Sequence, residues 1–251
     1  MSSMFPGIAV LAYFVFGYAA FLIRCQVSGV PRDLESEKRG GSIMLGMHAR
    51  YYFAWVTQPL WRGLIAANVP ANVVTEVAAV IGIGSGLAVA AGYFGLGGWL
   101  FIFSGILDAI DGRIARLRNE ATRAGAALDS ILDRYVDTAF LAGLGWYYRD
   151  SWVLLLVFLA INGTAVTPYV RAKGEALGIS MRDGLMQRAE RLVYLGVPVA
   201  LSPIIDRLFR SDGSKPAYLF GIAGITVLAI TSNLTAFTRF RSLLRALTRK
   251  V

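Results

Sequence analysis

Long apolar runs separated by short polar breaks extend along most of the chain. A helix needs about 20 mostly apolar residues to cross the hydrocarbon core of a bilayer. The first run has no basic segment before it and no small-x-small cleavage site after it, so we interpret it as a retained helix and not as a secretory signal. The pattern predicts seven membrane helices, over residues 5–23, 72–93, 97–117, 125–148, 152–173, 189–209 and 216–238.

Two segments between the first and second runs have a different pattern. VSGVPRDLESEKRGGS, residues 27–42, is the longest polar stretch and indicates a cytoplasmic linker. The following segment, 43–67, mixes aromatic and basic residues and is typical of a helix that lies at the membrane interface. We therefore predict an N-terminal transmembrane helix with its linker over 1–42. A single domain over 43–251 then holds the interfacial helix, six transmembrane helices within 72–238 and a basic C-terminal tail.

Composition and charge agree with a membrane protein. Of the 251 residues, 56% are hydrophobic and 16% are charged, and the mean hydropathy is +0.56. With the N-terminus outside, 20 of the 25 Lys and Arg residues fall on the inner side, which is the bias expected for cytoplasmic segments. These basic residues border the predicted helices and form no stripe with interleaved aromatic residues. The formal charge of +9 therefore indicates contact with anionic membrane lipids and no nucleic-acid binding.

Single residues exclude several other site types. Cys25 is the only cysteine and His48 the only histidine, so they form neither an internal disulfide nor a metal cluster, and we interpret both as structural. The glycine-rich segment around residues 81–99 has no lysine and no preceding strand, which argues against a phosphate-binding loop. Gly82 and Gly86 instead have the GxxxG spacing that lets membrane helices approach closely.

Five aspartates lie inside two of the predicted membrane helices. Asp108 and Asp111 are three residues apart, and Asp129, Asp133 and Asp137 follow at intervals of four, so each set lies along one helical face. A charged side chain in a membrane helix costs a few kcal/mol on insertion scales, so such a set indicates a functional site. If the two helices are antiparallel neighbours joined by the short RLRNEATRAG connection, residues 116–125, the two carboxylate faces meet near the cytoplasmic boundary. Carboxylates this close remain ionised when cations bind between them, and oxygen ligands select hard cations such as Mg²⁺ or Mn²⁺.

Interhelical salt bridges between aspartate and arginine are the structural alternative. For Asp137, a salt bridge with Arg134 and a role in the site are equally compatible with the sequence. The alternative is much weaker for the other four aspartates, because their spacing matches a longer pattern. That pattern reads D-x2-D-G-x2-A-R-x8-G-x3-D-x3-D, at Asp108, Asp111, Gly112, Ala115, Arg116, Gly125, Asp129 and Asp133.

This pattern resembles the motif of the CDP-alcohol phosphotransferase family, and the resemblance covers residues 43–245. It implies an all-α polytopic membrane protein, with a six-helix transmembrane bundle preceded by an interfacial helix. The helix over 5–23 is extra to that fold. The resemblance also implies two divalent cations, a CDP-linked lipid such as CDP-diacylglycerol as donor, release of CMP, and a homodimer.

The resemblance further implies roles for the residues of the motif. Asp108, Asp111, Asp129 and Asp133 would bind the metals, and Asp133 would also be the general base. The element ANVVT over 71–75 resembles a nucleotide-contacting element, although Ala71 stands where proline is common. For Asn72 a helix N-cap explains the sequence equally well. The implied donor-binding residues are Asn72, Thr75, Asp111, Gly112, Ala115, Arg116 and Gly125.

The stretch over 168–196 is informative about the acceptor alcohol. It resembles the branch of the family that makes phosphatidylinositol phosphate, and guanidinium groups suit a dianionic phosphate. The positive-inside bias alone explains other basic residues such as Arg182, Arg241 and Arg245. The residues implied at the acceptor phosphate are Arg171, Lys173, Arg188, Arg191 and Arg239.

Two classes of function follow from the sequence. The first is a membrane enzyme that transfers a phosphatidyl group from CDP-diacylglycerol to inositol 1-phosphate, or to glycerol 3-phosphate or serine, with its active site on the cytoplasmic side. The second is a cation transport protein, in which the aspartates would form a translocation site. Transport requires acidic residues along a path across the bilayer, whereas these gather on one side together with arginines, so the sequence favours the enzyme.

Overall fold

The computed structural model describes residues 5–33, 37, 46–179, 188–209 and 217–248, and the regular elements among them are all helical. The all-α prediction is therefore confirmed. A π-helical turn spans Leu192–Gly196. The α-helices are α1 Phe5–Ser28, α2 Gly46–Val56, α3 Gln58–Ala66, α4 Ala71–Ala90, α5 Phe94–Leu117, α6 Arg123–Tyr147, α7 Val153–Ala176, α8 Arg188–Arg191, α9 Val197–Phe209 and α10 Leu219–Thr248.

Five described segments are long and apolar enough to cross a membrane, as expected for a polytopic membrane protein. Helix α6, also predicted to span, carries four charged residues in its first half and is not among these five. The described apolar part of α1, Ala12–Ser28, is shorter than a span, so the crossing of the membrane by α1 and α6 stays a prediction. The five segments are Ala71–Ala90, Phe94–Leu117, Val153–Ala176, Ala189–Phe209 and Leu219–Thr248.

The chain divides into two compact units that alternate along the sequence. The first unit comprises Met1–Val80 and Phe103–Leu132, and the second comprises Ile81–Ile102 and Asp133–Val251. Helices α4, α5 and α6 each contribute residues to both units. The single domain over 43–251 stays a prediction.

In the first unit, the interfacial helix predicted as one element over 43–67 is two helices in its described part, and residues 43–45 lie outside the described residues. Helix α2 ends at Val56 and α3 begins at Gln58. Pro59 stands in the first turn of α3, where its missing N–H is harmless, but it cannot continue the hydrogen bonding of α2. The hydroxyl of Thr57, at the break, donates a hydrogen bond to the Phe53 carbonyl at 2.7 Å.

In the second unit, small residues bring helix backbones into contact. A Cβ atom on Gly86 of α4 would lie 2.2 Å from the Ala139 carbonyl oxygen of α6, and one on Gly143 would lie 2.1 Å from the Gly86 carbonyl oxygen. The helix-packing role predicted for Gly86 is thus confirmed. The rings of Phe101 and Phe140 stack at 4.1 Å between centroids beside this contact.

The helix predicted over 189–209 is continuous but irregular, because it contains the π-helical turn. Pro198 follows this turn and has no N–H to donate to the Tyr194 carbonyl. A Cβ atom on Gly224 of α10 would lie only 2.8 Å from that carbonyl oxygen, so the glycine allows α10 to approach the irregular segment.

Candidate metal and nucleotide site

Three carboxylates of the motif come together in the first unit. Oxygen atoms of Asp108, Asp111 and Asp129 all lie within 4.8 Å of one another. Asp111 is only 4% exposed, and the other two are half-buried. The structure therefore brings together one residue pair from α5 and one residue from α6, as the helical spacing and the short connection predicted. This cluster of oxygen ligands fits a hard divalent cation such as Mg²⁺ or Mn²⁺.

Two groups orient the buried carboxylate of Asp111. The hydroxyl of Thr75 donates a hydrogen bond to its Oδ2 atom at 2.5 Å, and Thr75 is itself only 6% exposed. The backbone N–H of Gly112 donates to its Oδ1 atom. Carboxylate oxygens have several lone pairs, so both oxygens can still face a cation while they accept these bonds.

Asn72 lies beside the start of α6. A Cβ atom on Gly125 would lie 3.4 Å from the Asn72 Oδ1 atom and 3.2 Å from the Thr122 hydroxyl oxygen, so the glycine leaves room between them. The N-cap alternative for Asn72 is wrong, because α4 begins at Ala71 and the carbonyl of Pro70 accepts the first helical bond, from Val74. Asn72 is therefore an exposed side chain in the first turn.

Arg116 lies over Gly112 on α5. A Cβ atom on Gly112 would lie 3.2 Å from one terminal nitrogen of the Arg116 guanidinium and 3.4 Å from the other. Ala115, the residue before Arg116, is half-buried, and the Arg116 side chain is exposed. This surface of α5 thus offers an exposed guanidinium above a glycine, which suits close approach of a phosphate.

Asp133 lies one helical turn after Asp129 on α6 and belongs to the second unit. Among the described residues, it is not part of the group whose oxygens lie within 4.8 Å of one another. Its roles as metal ligand and general base therefore stay predictions.

The residues predicted at the acceptor phosphate lie in the second unit. Arg191 forms an ion pair with Asp137, and their side chains are 12% and 14% exposed. Arg239 is buried and donates a hydrogen bond to the Thr167 carbonyl at 3.2 Å. Arg171 pairs with Glu175 at 2.9 Å on the surface. Lys173 is exposed, and the side chain of Arg188 lies outside the described part of the chain.

The pairing of Asp137 differs from the sequence-based alternative. A salt bridge is present, but its partner is Arg191 on α8, and the Arg134 side chain is exposed. Helical spacing suggested Arg134 because it is a neighbour on the same helix, whereas Arg191 is 54 positions further along the chain. No local pattern reveals such a distant partner.

Two further arginines of the first unit were not singled out from the sequence. Arg118 donates hydrogen bonds to the carbonyls of Ile65, in the last turn of α3, and Val69, in the connection to α4, both at 2.9 Å. Arg113 pairs with Asp33 at 2.6 Å. Asp33 belongs to the predicted linker, where charge without periodicity gives no signal for a specific contact.

The membrane helices and the carboxylate cluster are those of a metal-dependent enzyme of phosphoryl-group transfer. Residues 68–237 match the model of the CDP-alcohol phosphatidyltransferase family. This match covers more than half of the chain, and the chain belongs to that family. The enzyme interpretation is therefore confirmed against the transport alternative.

Several proteins resemble the chain over most of its length. The phosphatidylinositol phosphate synthase of Mycobacteroides abscessus is 34% identical over 61% of this chain and 71% of its own. The crystal structure of the Mycobacterium tuberculosis phosphatidylinositol phosphate synthase with CDP-DAG bound has a TM-score of 0.64 and 27% identity, over 76% of this chain and 94% of that chain. The same enzyme in complex with manganese and citrate has a TM-score of 0.64 and 26% identity, over 75% and 88%.

Proposed function

We propose that the protein transfers the phosphatidyl group of CDP-diacylglycerol to inositol 1-phosphate and releases CMP. The observation that carries the proposal is the group of Asp108, Asp111 and Asp129, whose oxygens lie within 4.8 Å of one another in a unit that also holds Arg116. The relatives named phosphatidylinositol phosphate synthase and the structure of one of them with CDP-DAG support the choice of substrates.

Asp108, Asp111, Asp129 and Asp133 would hold two divalent cations, Mg²⁺ or Mn²⁺. When bound, the cations supply positive charge that neutralises the pyrophosphate of the donor and the charge that develops on the leaving CMP. The oxygen-only donor set and the manganese in a structural relative support this assignment. Thr75 would hold the carboxylate of Asp111 in the orientation that binding requires.

The nucleotide part of the donor would lie along the start of α4, the motif turns of α5 and the start of α6. Gly112 has no side chain beneath the Arg116 guanidinium, which would form charge-assisted hydrogen bonds with the pyrophosphate, and Gly125 has none beside Asn72. Asn72 is exposed beside Gly125, where its amide would contact the nucleotide. The proposed donor-binding set is Asn72, Thr75, Asp111, Gly112, Ala115, Arg116 and Gly125.

The chemical step needs a base, because an alcohol is a poor nucleophile at neutral pH. The carboxylate of Asp133 would accept the proton from an inositol hydroxyl while that oxygen forms a bond to the phosphorus of the phosphatidyl group. The bond from this phosphorus to the oxygen that bridges to CMP breaks, and CMP leaves with the bonding electrons. Asp133 is one turn from the metal-site residue Asp129, which supports this role.

The phosphate of the acceptor would be bound by arginines of the second unit. Arg191 is mostly buried and oriented by Asp137, and Arg239 is buried and oriented by the Thr167 carbonyl, so both guanidinium groups are held before the acceptor arrives. Such preorganisation lowers the entropic cost of binding. Arg171, Lys173 and Arg188 would complete the basic surroundings.

The bias of basic residues supports an active site on the cytoplasmic side, because the motif helices end among the arginines of that side.

We further propose a homodimer, as the family resemblance implies, and a single catalytic domain over 43–251. A molar mass of the detergent-purified protein equal to one chain would contradict the dimer.

The test of the reaction is CMP release by the purified protein from CDP-diacylglycerol and Mg²⁺. Inositol 1-phosphate, free inositol, glycerol 3-phosphate and serine are offered in separate reactions. We expect CMP release only with inositol 1-phosphate. Release with another acceptor alone would overturn the acceptor assignment, and no release with any of them would overturn the proposed reaction.

A further inference from the structure

Residues 5–33 precede the segment that matches the family, which begins at residue 68. Within the first unit this N-terminal segment is not a separate anchor. Helix α1 packs on α2, and Asp33 reaches α5, the helix that carries the first half of the aspartate motif. The contacts of this segment indicate a function in the enzyme beyond membrane anchoring.

Reciprocal hydrogen bonds fix α1 on α2. The Tyr13 hydroxyl donates to the carbonyl of Val56 at 3.0 Å, and the Tyr52 hydroxyl donates to the carbonyl of Phe14 at 2.5 Å. Val56 is the last residue of α2, so its carbonyl has no partner within that helix and Tyr13 satisfies it. Burial raises the pKa of Tyr52 to about 12, so this phenol stays protonated and able to donate at neutral pH.

Aromatic packing fixes the same two helices. Phe21 is 0% exposed, and its ring centroid lies 6.5 Å from that of His48, 5.6 Å from that of Tyr52 and 5.8 Å from that of Trp55. The structural interpretation of His48 agrees with this packing. Aromatic contacts of this kind stabilise the packing beyond the effect of their buried area. Helix α1 therefore has one defined position on α2, and the chain that follows it starts from a defined point.

Arg113 of α5 pairs with a residue of the segment that follows α1. The Arg113 guanidinium pairs with the Asp33 carboxylate at 2.6 Å, and the side chains are 15% and 24% exposed. The same guanidinium lies over the ring of Trp61 of α3, 5.6 Å from its centroid. Arg113 is thus directed toward the N-terminal segment and α3, although it directly follows Gly112 in the motif.

The two arginines of this motif turn have different surroundings. Arg116 lies over Gly112, with its nitrogens 3.2 and 3.4 Å from the position of a Cβ there. Arg113 is paired with Asp33. Without Asp33, Arg113 would lose this charged partner, and the turn of α5 between Asp111 and Arg116 would lose the ion pair that ties it to the N-terminal segment.

We propose that Asp33 is a positioning residue, which by pairing with Arg113 holds the Asp111–Arg116 turn of α5 in the arrangement that binds the CDP-lipid donor. This inference rests on the proposed function, because it concerns the donor site of that reaction. Asp33 touches no substrate itself, and it acts through Arg113. The N-terminal segment is thereby a structural part of donor recognition.

The test compares the kinetics of variants in the CMP-release assay. Asp33→Asn removes the charge, Asp33→Glu keeps it, and the double variant Asp33→Arg with Arg113→Asp exchanges the two charges. Asp150→Asn is the matched control, because Asp150 forms an exposed pair with Arg149 at 3.5 Å in a turn remote from the motif in sequence. Each variant is measured for KM of CDP-diacylglycerol, KM of inositol 1-phosphate and kcat.

We expect Asp33→Asn to raise KM for CDP-diacylglycerol by about three- to tenfold, the size of effect of one ordinary hydrogen bond, because Asp33 acts on the donor only through Arg113. The acceptor KM and kcat should change by less than about twofold, because the base and the acceptor site are untouched. Asp33→Glu should keep most of the donor affinity, and the charge-exchange variant should keep part of it. Asp150→Asn should behave as the unchanged protein.

The outcomes separate this inference from the proposed function. A normal donor KM in Asp33→Asn, with an active unchanged protein, overturns the positioning role alone. A fall in kcat together with a rise of similar size in both KM values shows a merely structural role, and it also overturns the positioning role. If the unchanged protein releases no CMP, the reaction is wrong, and the comparison is made on the rise in unfolding temperature with CDP-diacylglycerol. A smaller rise in Asp33→Asn supports the inference, and an equal rise, or none in either protein, overturns it.

Discussion

The hydroxyl of Thr75 on α4 donates a hydrogen bond of 2.5 Å to the carboxylate of Asp111 on α5, and both side chains are buried. This bond links the ANVVT element to the first aspartate pair. Thr75→Val should leave a carboxylate oxygen of Asp111 without its donor, at a cost of about 1–3 kcal/mol. We expect a fall of about tenfold in kcat/KM for CDP-diacylglycerol, since 1.4 kcal/mol corresponds to a factor of ten.

Thr75→Ser is the control for this prediction, because serine keeps the hydroxyl and loses only a methyl group. It should retain most of the activity in the CMP-release assay. If Thr75→Val is as active as Thr75→Ser, the hydrogen bond does not orient Asp111 for the reaction.

The convergence of Asp108, Asp111 and Asp129 could be predicted because it follows from local rules. Intervals of three and four residues place carboxylates on one face of each helix, and a short connection makes the two helices neighbours. The break at Thr57 was not predicted, because the pattern of aromatic and basic residues continues across it. The sequence signal for the break is Pro59, since proline starts a helix more readily than it continues one.

The partners in two long-range ion pairs could not be predicted from the sequence. Arg191 pairs with Asp137 and Arg113 with Asp33, over separations of 54 and 80 residues. Each arginine has an acidic residue closer to it in sequence, and Arg191 is also predicted at the acceptor phosphate. Charge has no period that identifies a distant partner. The choice of partner is made by tertiary packing, so only the structure reveals it.

The proposed base gives a sharp kinetic expectation. Asp133→Asn should lower kcat by at least about a hundredfold, because an amide cannot accept the proton of the alcohol. The variant should still reach the membrane, and CDP-diacylglycerol should still raise its unfolding temperature if the other three carboxylates hold a cation. Near-normal CMP release by Asp133→Asn would remove Asp133 from the chemical step.

Arg191 tests the acceptor site. Arg191→Lys keeps the positive charge opposite Asp137 but loses the planar guanidinium that matches phosphate oxygens. We expect KM for inositol 1-phosphate to rise by about tenfold or more, while KM for CDP-diacylglycerol changes little. The lysine variant is preferred to alanine, because alanine would leave the mostly buried Asp137 carboxylate without its ion-pair partner. An unchanged acceptor KM would exclude Arg191 from the acceptor site.

Gly86 tests the backbone contact between α4 and α6. Gly86→Ala places a Cβ atom 2.2 Å from the Ala139 carbonyl oxygen, so one of the helices must shift. We expect a loss of about 1–3 kcal/mol in the free energy of unfolding, seen as a lower unfolding temperature in detergent. Gly84→Ala is the matched control two residues earlier, since a Cβ there meets no described atom within 4 Å. It should be neutral or gain up to about 1 kcal/mol, as alanine favours a helix over glycine. Equal unfolding temperatures for the two variants would contradict the close contact.

The proposed orientation predicts which loops are reached from each side of the membrane. In a Cys25→Ser background, Ala121→Cys places a thiol in the exposed connection between α5 and α6, and Asp150→Cys places one in the exposed turn between α6 and α7. With a membrane-impermeant maleimide, Ala121→Cys should react in inverted vesicles and Asp150→Cys in right-side-out vesicles, because the proposed orientation keeps the basic residues near the motif on the cytoplasmic side. The reverse pattern would place the aspartates on the outer side. Labelling of both positions from one side would show that α6 does not cross the membrane. The four charged residues in its first half make α6 the helix of the predicted bundle that is most costly to insert.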